Sequence, residues 1–189
     1  MNLFKTNYEA YIRQGLSVIP DKFGTKLPAI KGWSAFCSKL PSNEEIEGFC
    51  KIENSNISMC LGEASGIIAL DVDSTDQRIL DIVVPMLPSS PVEKIGAKGF
   101  TRFFRFNGEN SMTVKFNGEM VLEVLSEGKK TTMPPSRHPS GVDYRYTTTE
   151  TLLTVNKNDL PYFPPFLLAN IESKLRLHFP LKWRREARW

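Results

Sequence analysis

The segment Ile67-Ile68-Ala69-Leu70-Asp71-Val72-Asp73 constrains the fold of this chain more than any other. Alternate residues of a strand share a face. One face here is Ile68, Leu70 and Val72, wholly apolar. The other begins with Ile67 and Ala69 and becomes doubly acidic, at Asp71 and Asp73, where the strand ends. Two like charges side by side repel, so the pair costs stability unless a cation sits between them. Hard divalent ions such as Mg²⁺ take oxygen ligands of this kind. In the plainer reading Asp73 caps the following helix and Asp71 is solvated. The segment alone leaves both readings open.

Glu123 adds weight to the first. In Glu119-Met120-Val121-Leu122-Glu123-Val124-Leu125 its strand neighbours on both faces are apolar, and a carboxylate is rarely buried without a partner. It is expected either to pair with a basic residue or to meet Asp71 and Asp73 across a sheet as a third metal ligand. Donors suited to phosphate lie nearby in sequence. Lys98-Gly99-Phe100-Thr101-Arg102 presents cations and a hydroxyl at a tight turn, and KKTTMPPSRHPSG carries Ser136, Arg137 and His138 on a proline-stiffened backbone. By itself His138 reads as a loop histidine bonded to backbone. Lys26 and Lys31, in GTKLPAIKGW, are further candidates for an anion.

The surrounding pattern predicts helices and strands in alternation, then hairpins, then a helix. Thr6 with Glu9 reads as a capping box opening a helix that stops at Gly15, and Ser42 with Glu45 as a second. Ser74 is expected to open a third helix, ended by Pro85, and a last helix to cover much of 165–178. GLSVIP, NISMCLG, IIALDVD, VEKIG, TRFFRF, EMVLEVL, KTTMP and DYRYT favour strands. The order implies an α/β or α+β domain with a mixed sheet.

The 189 residues suffice for one substantial domain or one of two lobes. No apolar run approaches the roughly 18–20 residues that span a bilayer, and MNLFKTNYEAYIRQG has no signal-peptide pattern, so no membrane partner is expected and cytoplasmic residence is the default. Three widely spaced cysteines and two distant histidines argue against a zinc finger or disulfide framework. The net charge of +3 is unevenly placed: residues 171–189 hold six basic residues against two acidic ones, leaving −1 for the first 170. In that tail Lys182, Arg184 and Arg185 interleave with Trp183 and Trp189, a pattern that serves phosphate contact and base stacking, or a last helix whose aromatics pack on the body. No G-x-x-x-x-G-K-[ST], H-E-x-x-H, G-x-S-x-G or G-x-G-x-x-G occurs.

Taken together, GTKLPAIKGW, NISMCLGEASGIIALDVDS, EKIGAKGFTRFFRF and LEVLSEGKKTTMPPSRHPSGVDYRY resemble, over about residues 8–147, the bifunctional DNA primase/polymerase (prim-pol) domain of the archaeo-eukaryotic primase superfamily, in its phage, prophage and plasmid form. The resemblance implies a two-lobed α/β (α+β) fold with an RRM-like catalytic sheet, with residues 1–160 as catalytic domain and 161–189 as C-terminal helix and basic tail. It implies that Asp71, Asp73 and Glu123 are catalytic ligands of Mg²⁺ or Mn²⁺. It also implies that Lys98, Thr101, Arg102, Ser136, Arg137 and His138 face the nucleotide. The family's second motif carries a histidine on the triphosphate, and Thr101 stands at that position. Thr101, Lys98 and Arg102 then hold the phosphates differently, or His138 substitutes, or the activity is weak; the first is favoured because Lys and Arg can rebuild a phosphate cradle. The implied activity is two-metal nucleotidyl transfer from an NTP or dNTP on a single-stranded DNA template, with a replicative helicase in cis or in trans as partner. A nucleotide- or nucleic-acid-binding module with weakened chemistry, and a metal-dependent nuclease, are the alternatives.

Overall fold

A computed structural model gives the fold and describes residues 1–179. The tail residues Lys182, Arg184 and Arg185, with Trp183 and Trp189, lie outside the described residues. The helices are α1 (Leu3–Arg13), α2 (Asn43–Cys50), α3 (Gln77–Val83) and α4 (Leu167–His178). The strands are β1 (Val18–Lys22), β2 (Ser55–Cys60), β3 (Ile67–Val72), β4 (Glu93–Ile95), β5 (Phe100–Arg105), β6 (Met112–Phe116), β7 (Glu119–Leu125), β8 (Lys130–Thr132) and β9 (Arg145–Tyr146).

The strands form two sheets. The smaller has the order β1-β2-β8 and the larger β6-β7-β3-β5-β4-β9. Every paired strand is antiparallel to its neighbour, which corrects the expectation of a mixed sheet. The reason lies in β5. The crossover through α3 carries the chain from β3 to β4 in the same direction, as in a βαβ unit, but β5 returns between them and pairs with both.

Strand β3 divides the interior in two. Ile67 and Ala69 join a core with Phe4, Tyr11, Val18, Ile57, Met59 and Phe103, between the sheets and under α1 and α2. Ile68, Leu70 and Val72 join a second core with Phe104, Val114, Val124, Ile79 of α3 and Leu168, Ile171 and Leu175 of α4. The alternation in the sequence therefore places the two faces as expected, and α4 is a wall of the second core.

Local departures have local causes. Helix α1 starts at Leu3, not after Thr6, because Asn2 caps it: its side chain accepts from the N–H of Lys5 at 2.9 Å and its amide donates to the carbonyls of Cys50 and Ile52. Thr6 lies inside the helix, its hydroxyl donating to the carbonyl of Asn2. Asp76, not Ser74, caps α3, and Ser74 accepts from the N–H of Asp76 in the turn before it. The box of Ser42 and Glu45 on α2 forms in both directions. Strand β6, absent from the sequence reading, pairs with β7 across a tight turn at Asn117-Gly118.

Candidate active site

Asp71 sits at the centre of the larger sheet. In the antiparallel register it stands opposite Glu123 of β7 on one side and Thr101 of β5 on the other. Directly opposed residues share a face, with Cα atoms about 4.5–5.5 Å apart. Asp73 follows just past the end of β3, its N–H donating to the carbonyl of Val121 at 2.9 Å. All three carboxylates lie on the face that Ile67 and Ala69 bury further back, where the first core gives way to a cavity of about 460 Å³.

The acids are met by hydrogen-bond donors and cations. Thr101 Oγ1 donates to Asp71 Oδ1 at 2.6 Å. Lys98 Nζ is 3.4 Å from Asp73 and Lys129 Nζ is 3.6 Å from Glu123. Lys98 is delivered by Gly99, whose φ of +58° and position against β3 leave no room for a side chain: a Cβ there would lie 1.7 Å from the carbonyl oxygen of Val72. Among the described residues no three Asp, Glu, His or Cys side chains stand grouped as ligands of one ion; each of the three acids instead meets a lysine or Thr101. The donor set nevertheless fits a hard cation: three carboxylates, all oxygen, open onto one cavity.

The opposite wall comes from the smaller sheet and its loops, and it is cationic and hydroxylic: Lys26, Lys130, Thr131, Thr132 and His138, with the Trp33 indole. Lys130 is fixed firmly, donating to Asp21 Oδ2 at 2.7 Å and to the carbonyl of Lys26 at 2.8 Å. Asp21 is wholly buried and also accepts from Ser58. His138 Nδ1 accepts from the N–H of Ser140 at 3.0 Å, so the neutral ring carries its proton on Nε2. Burial, and then the charges of Lys26, Lys94 and Lys98, hold its pKa below the ordinary histidine value.

Three residues expected at the nucleotide do not line this cavity. Arg102 lies on the other face of β5 from Thr101, as neighbours in a strand must. It pairs with Glu93 at 3.0 Å, donates to the carbonyl of Pro88, and stacks over Phe100. Ser136 is buried, its hydroxyl accepting from the N–H of Ile57 and donating to its carbonyl, which pins the Pro-Pro segment to β2. Arg137 pairs with Asp143 at 2.6 Å. Lys31 is exposed outside the cavity, whereas Lys26 lines it.

The sequence reading also missed residues that are here. Lys94 of β4 is 3 % exposed, donates from Nζ to Thr101 Oγ1 at 3.2 Å, and lies 4.9 Å over the ring of Tyr144. Burial pushes its ammonium down to about 8, against the pull of Asp71. A signal existed: Lys94 shares a strand face with the buried Val92, an inward position that a lysine seldom takes without purpose. Lys129, Lys130, Trp33 and Tyr144 carried no comparable signal, because chain segments far apart in sequence bring them in.

The cavity thus sets a wall of carboxylates against a wall of fixed cations, an arrangement able to hold a polyanion together with a divalent ion. No curated protein matches the chain. A family model, described as bifunctional DNA primase/polymerase, N-terminal, matches residues 8–163.

Proposed function

The chain belongs to the bifunctional DNA primase/polymerase family, and from that premise we propose that it makes and extends primers on single-stranded DNA by template-directed nucleotidyl transfer from NTPs or dNTPs, with Mg²⁺ or Mn²⁺, in the replication system of a mobile element. The observation that carries the reading is the register that sets Asp71 against Glu123, with Asp73 beside them, over a cavity whose far wall is cationic.

Asp71, Asp73 and Glu123 are the residues that would hold the divalent ions, which supply a lowered pKa for the attacking hydroxyl and charge neutralisation at the phosphates. The chain's own residues do the rest by position. Lys98 and Lys129, which neutralise Asp73 and Glu123, are cations within reach of phosphate oxygens. Lys130, clamped by Asp21, gives a fixed charge on the opposite wall. His138 donates from Nε2. No side chain acts as a nucleophile, so catalysis rests on orientation and charge complementarity. The mobile-element setting, a helicase partner and cytoplasmic residence belong to the same reading and rest on the resemblance. Among the described residues no helix is long and apolar enough to cross a membrane.

The test is primer synthesis and extension on single-stranded DNA with labelled nucleotides and Mg²⁺ or Mn²⁺. The parent chain is expected to give product, and Asp71→Ala, Asp73→Ala and Glu123→Ala each to lose about 100-fold or more while still folding. Undiminished activity in the variants overturns the assignment. Cleavage of DNA without nucleotides turns the reading to a nuclease.

A further inference from the structure

Lys94 is the buried cation that the proposed mechanism leaves unused. Its ammonium is within hydrogen-bond distance of Thr101 Oγ1 and over the face of Tyr144. Removing a charge from water is costly unless something needs it, and an apolar side chain of the same length would serve packing at lower cost.

The direction of the contacts shows what it serves. Thr101 has one hydroxyl proton, and the 2.6 Å contact spends it on Asp71 Oδ1. The hydroxyl oxygen can then only accept from Lys94, at 3.2 Å. The chain therefore runs one way, from Lys94 to Thr101 to Asp71, across three neighbouring strands whose register brings Lys94, Thr101 and Asp71 level with one another. Thr101 is as buried as Lys94, so solvent does not compete for the bond between them, while Asp71 is half-buried at the cavity wall.

We infer that Lys94 is a positioning residue for Asp71: by donating to Thr101 it fixes the direction in which the hydroxyl points, holds Oδ1 of Asp71, and leaves the second carboxylate oxygen to a divalent cation. This rests on the reading of Asp71 as a metal ligand. Such support of a ligand by its hydrogen-bond partners commonly governs metal affinity. The ammonium also opposes a cation electrostatically, so orientation and charge act with opposite signs, and the sign of the effect decides between them.

The test is Mn²⁺ binding without nucleotide or DNA, read from the free-ion signal in electron paramagnetic resonance. It compares the parent with Lys94→Met, Thr101→Val, Thr101→Ser and the double variant Lys94→Met/Thr101→Val. Lys94→Met and Thr101→Val are each expected to bind about tenfold more weakly. The double variant is expected to be no weaker than Thr101→Val, and Thr101→Ser to match the parent. Tighter binding by Lys94→Met overturns the inference, as does a double variant in which the two losses add. A lowered unfolding temperature with unchanged Mn²⁺ affinity also overturns it, by reducing Lys94 to a structural role. Should Lys94→Met fail to fold, equal affinity of Thr101→Val and Thr101→Ser is the overturning result. A parent that binds no Mn²⁺ removes the metal reading itself, and this inference with it; a parent that binds, with variants that break the pattern, removes the inference alone.

Discussion

Asp21 is a carboxylate with no exposure to water, and burial pushes its pKa up while the Lys130 ammonium at 2.7 Å pulls it back. Removing one member of such a pair leaves an uncompensated buried charge, whereas removing both does not. Lys130→Met is therefore expected to cost about 3–5 kcal/mol of stability, and Asp21→Asn/Lys130→Met to recover most of it. Urea unfolding followed by circular dichroism measures both. Pairs of this kind explain what was hidden at this scale. Asp21 and Lys130, or Lys94 and Thr101, meet only after strands have chosen partners, and no spacing within one segment announces them. Asp71 and Glu123 drew notice because each sits in a strand whose neighbours are apolar, and Asp73 because it follows two residues on, just past the end of the same strand. Arg102 was misplaced beside Thr101 for a reason the sequence itself contained: adjacent strand residues face opposite ways, so the two cannot both face one cavity.

Strands β3, β5 and β7 and the turn before β5 hold the site as a unit. Gly99 is the tightest point, since its backbone packs on the end of β3 and its φ is in the left-handed region. Gly118, in the β6–β7 turn, has a similar φ of +77° but open space around it. Gly118→Ala is expected to cost about 1 kcal/mol of backbone strain and leave nucleotide incorporation intact. Gly99→Ala is expected to push the Lys98 turn off β3 and reduce incorporation severalfold at temperatures where the protein is folded. Comparing the two variants by melting temperature and by primer extension separates strain from displacement. At this scale most elements were legible, because apolar alternation and the capping box of α2 act locally. Strand β6 was missed although Met112, Val114 and Phe116 alternate with Thr113 and Lys115 as a strand should, and Val114 and Phe116 are the pair buried in the second core with α4. The starts of α1 and α3 shifted because Asn2 is tied to the end of α2 and Asp76 lies nearer the helix it caps.

The molecule as a whole places its cavity between two sheets that share no strand. A ligand that touches both walls binds the folded state and not the unfolded one, and so raises the unfolding temperature by mass action. A nucleoside triphosphate with Mn²⁺, at about 100 times its dissociation constant, is expected to add about 2.7 kcal/mol. The shift is expected to vanish in Asp71→Ala/Glu123→Ala, and thermal unfolding with and without ligand reads it directly. The antiparallel character of the larger sheet was not legible, because β5 inserts between β3 and β4, two earlier strands that run parallel to each other.

Strand β3 is packed on both faces, with Ile67 and Ala69 in one core and Ile68, Leu70 and Val72 in the other. A shift of a single residue would exchange the two sets and drive Asp71 towards the core made by α3 and α4. An inserted or deleted residue within β3 is therefore a different kind of event from one in the exposed turn around Gly108. The first exchanges the meaning of every position after it, and the second only lengthens a loop. In that sense the strand has a reading frame, and the chemistry of the molecule is written in it.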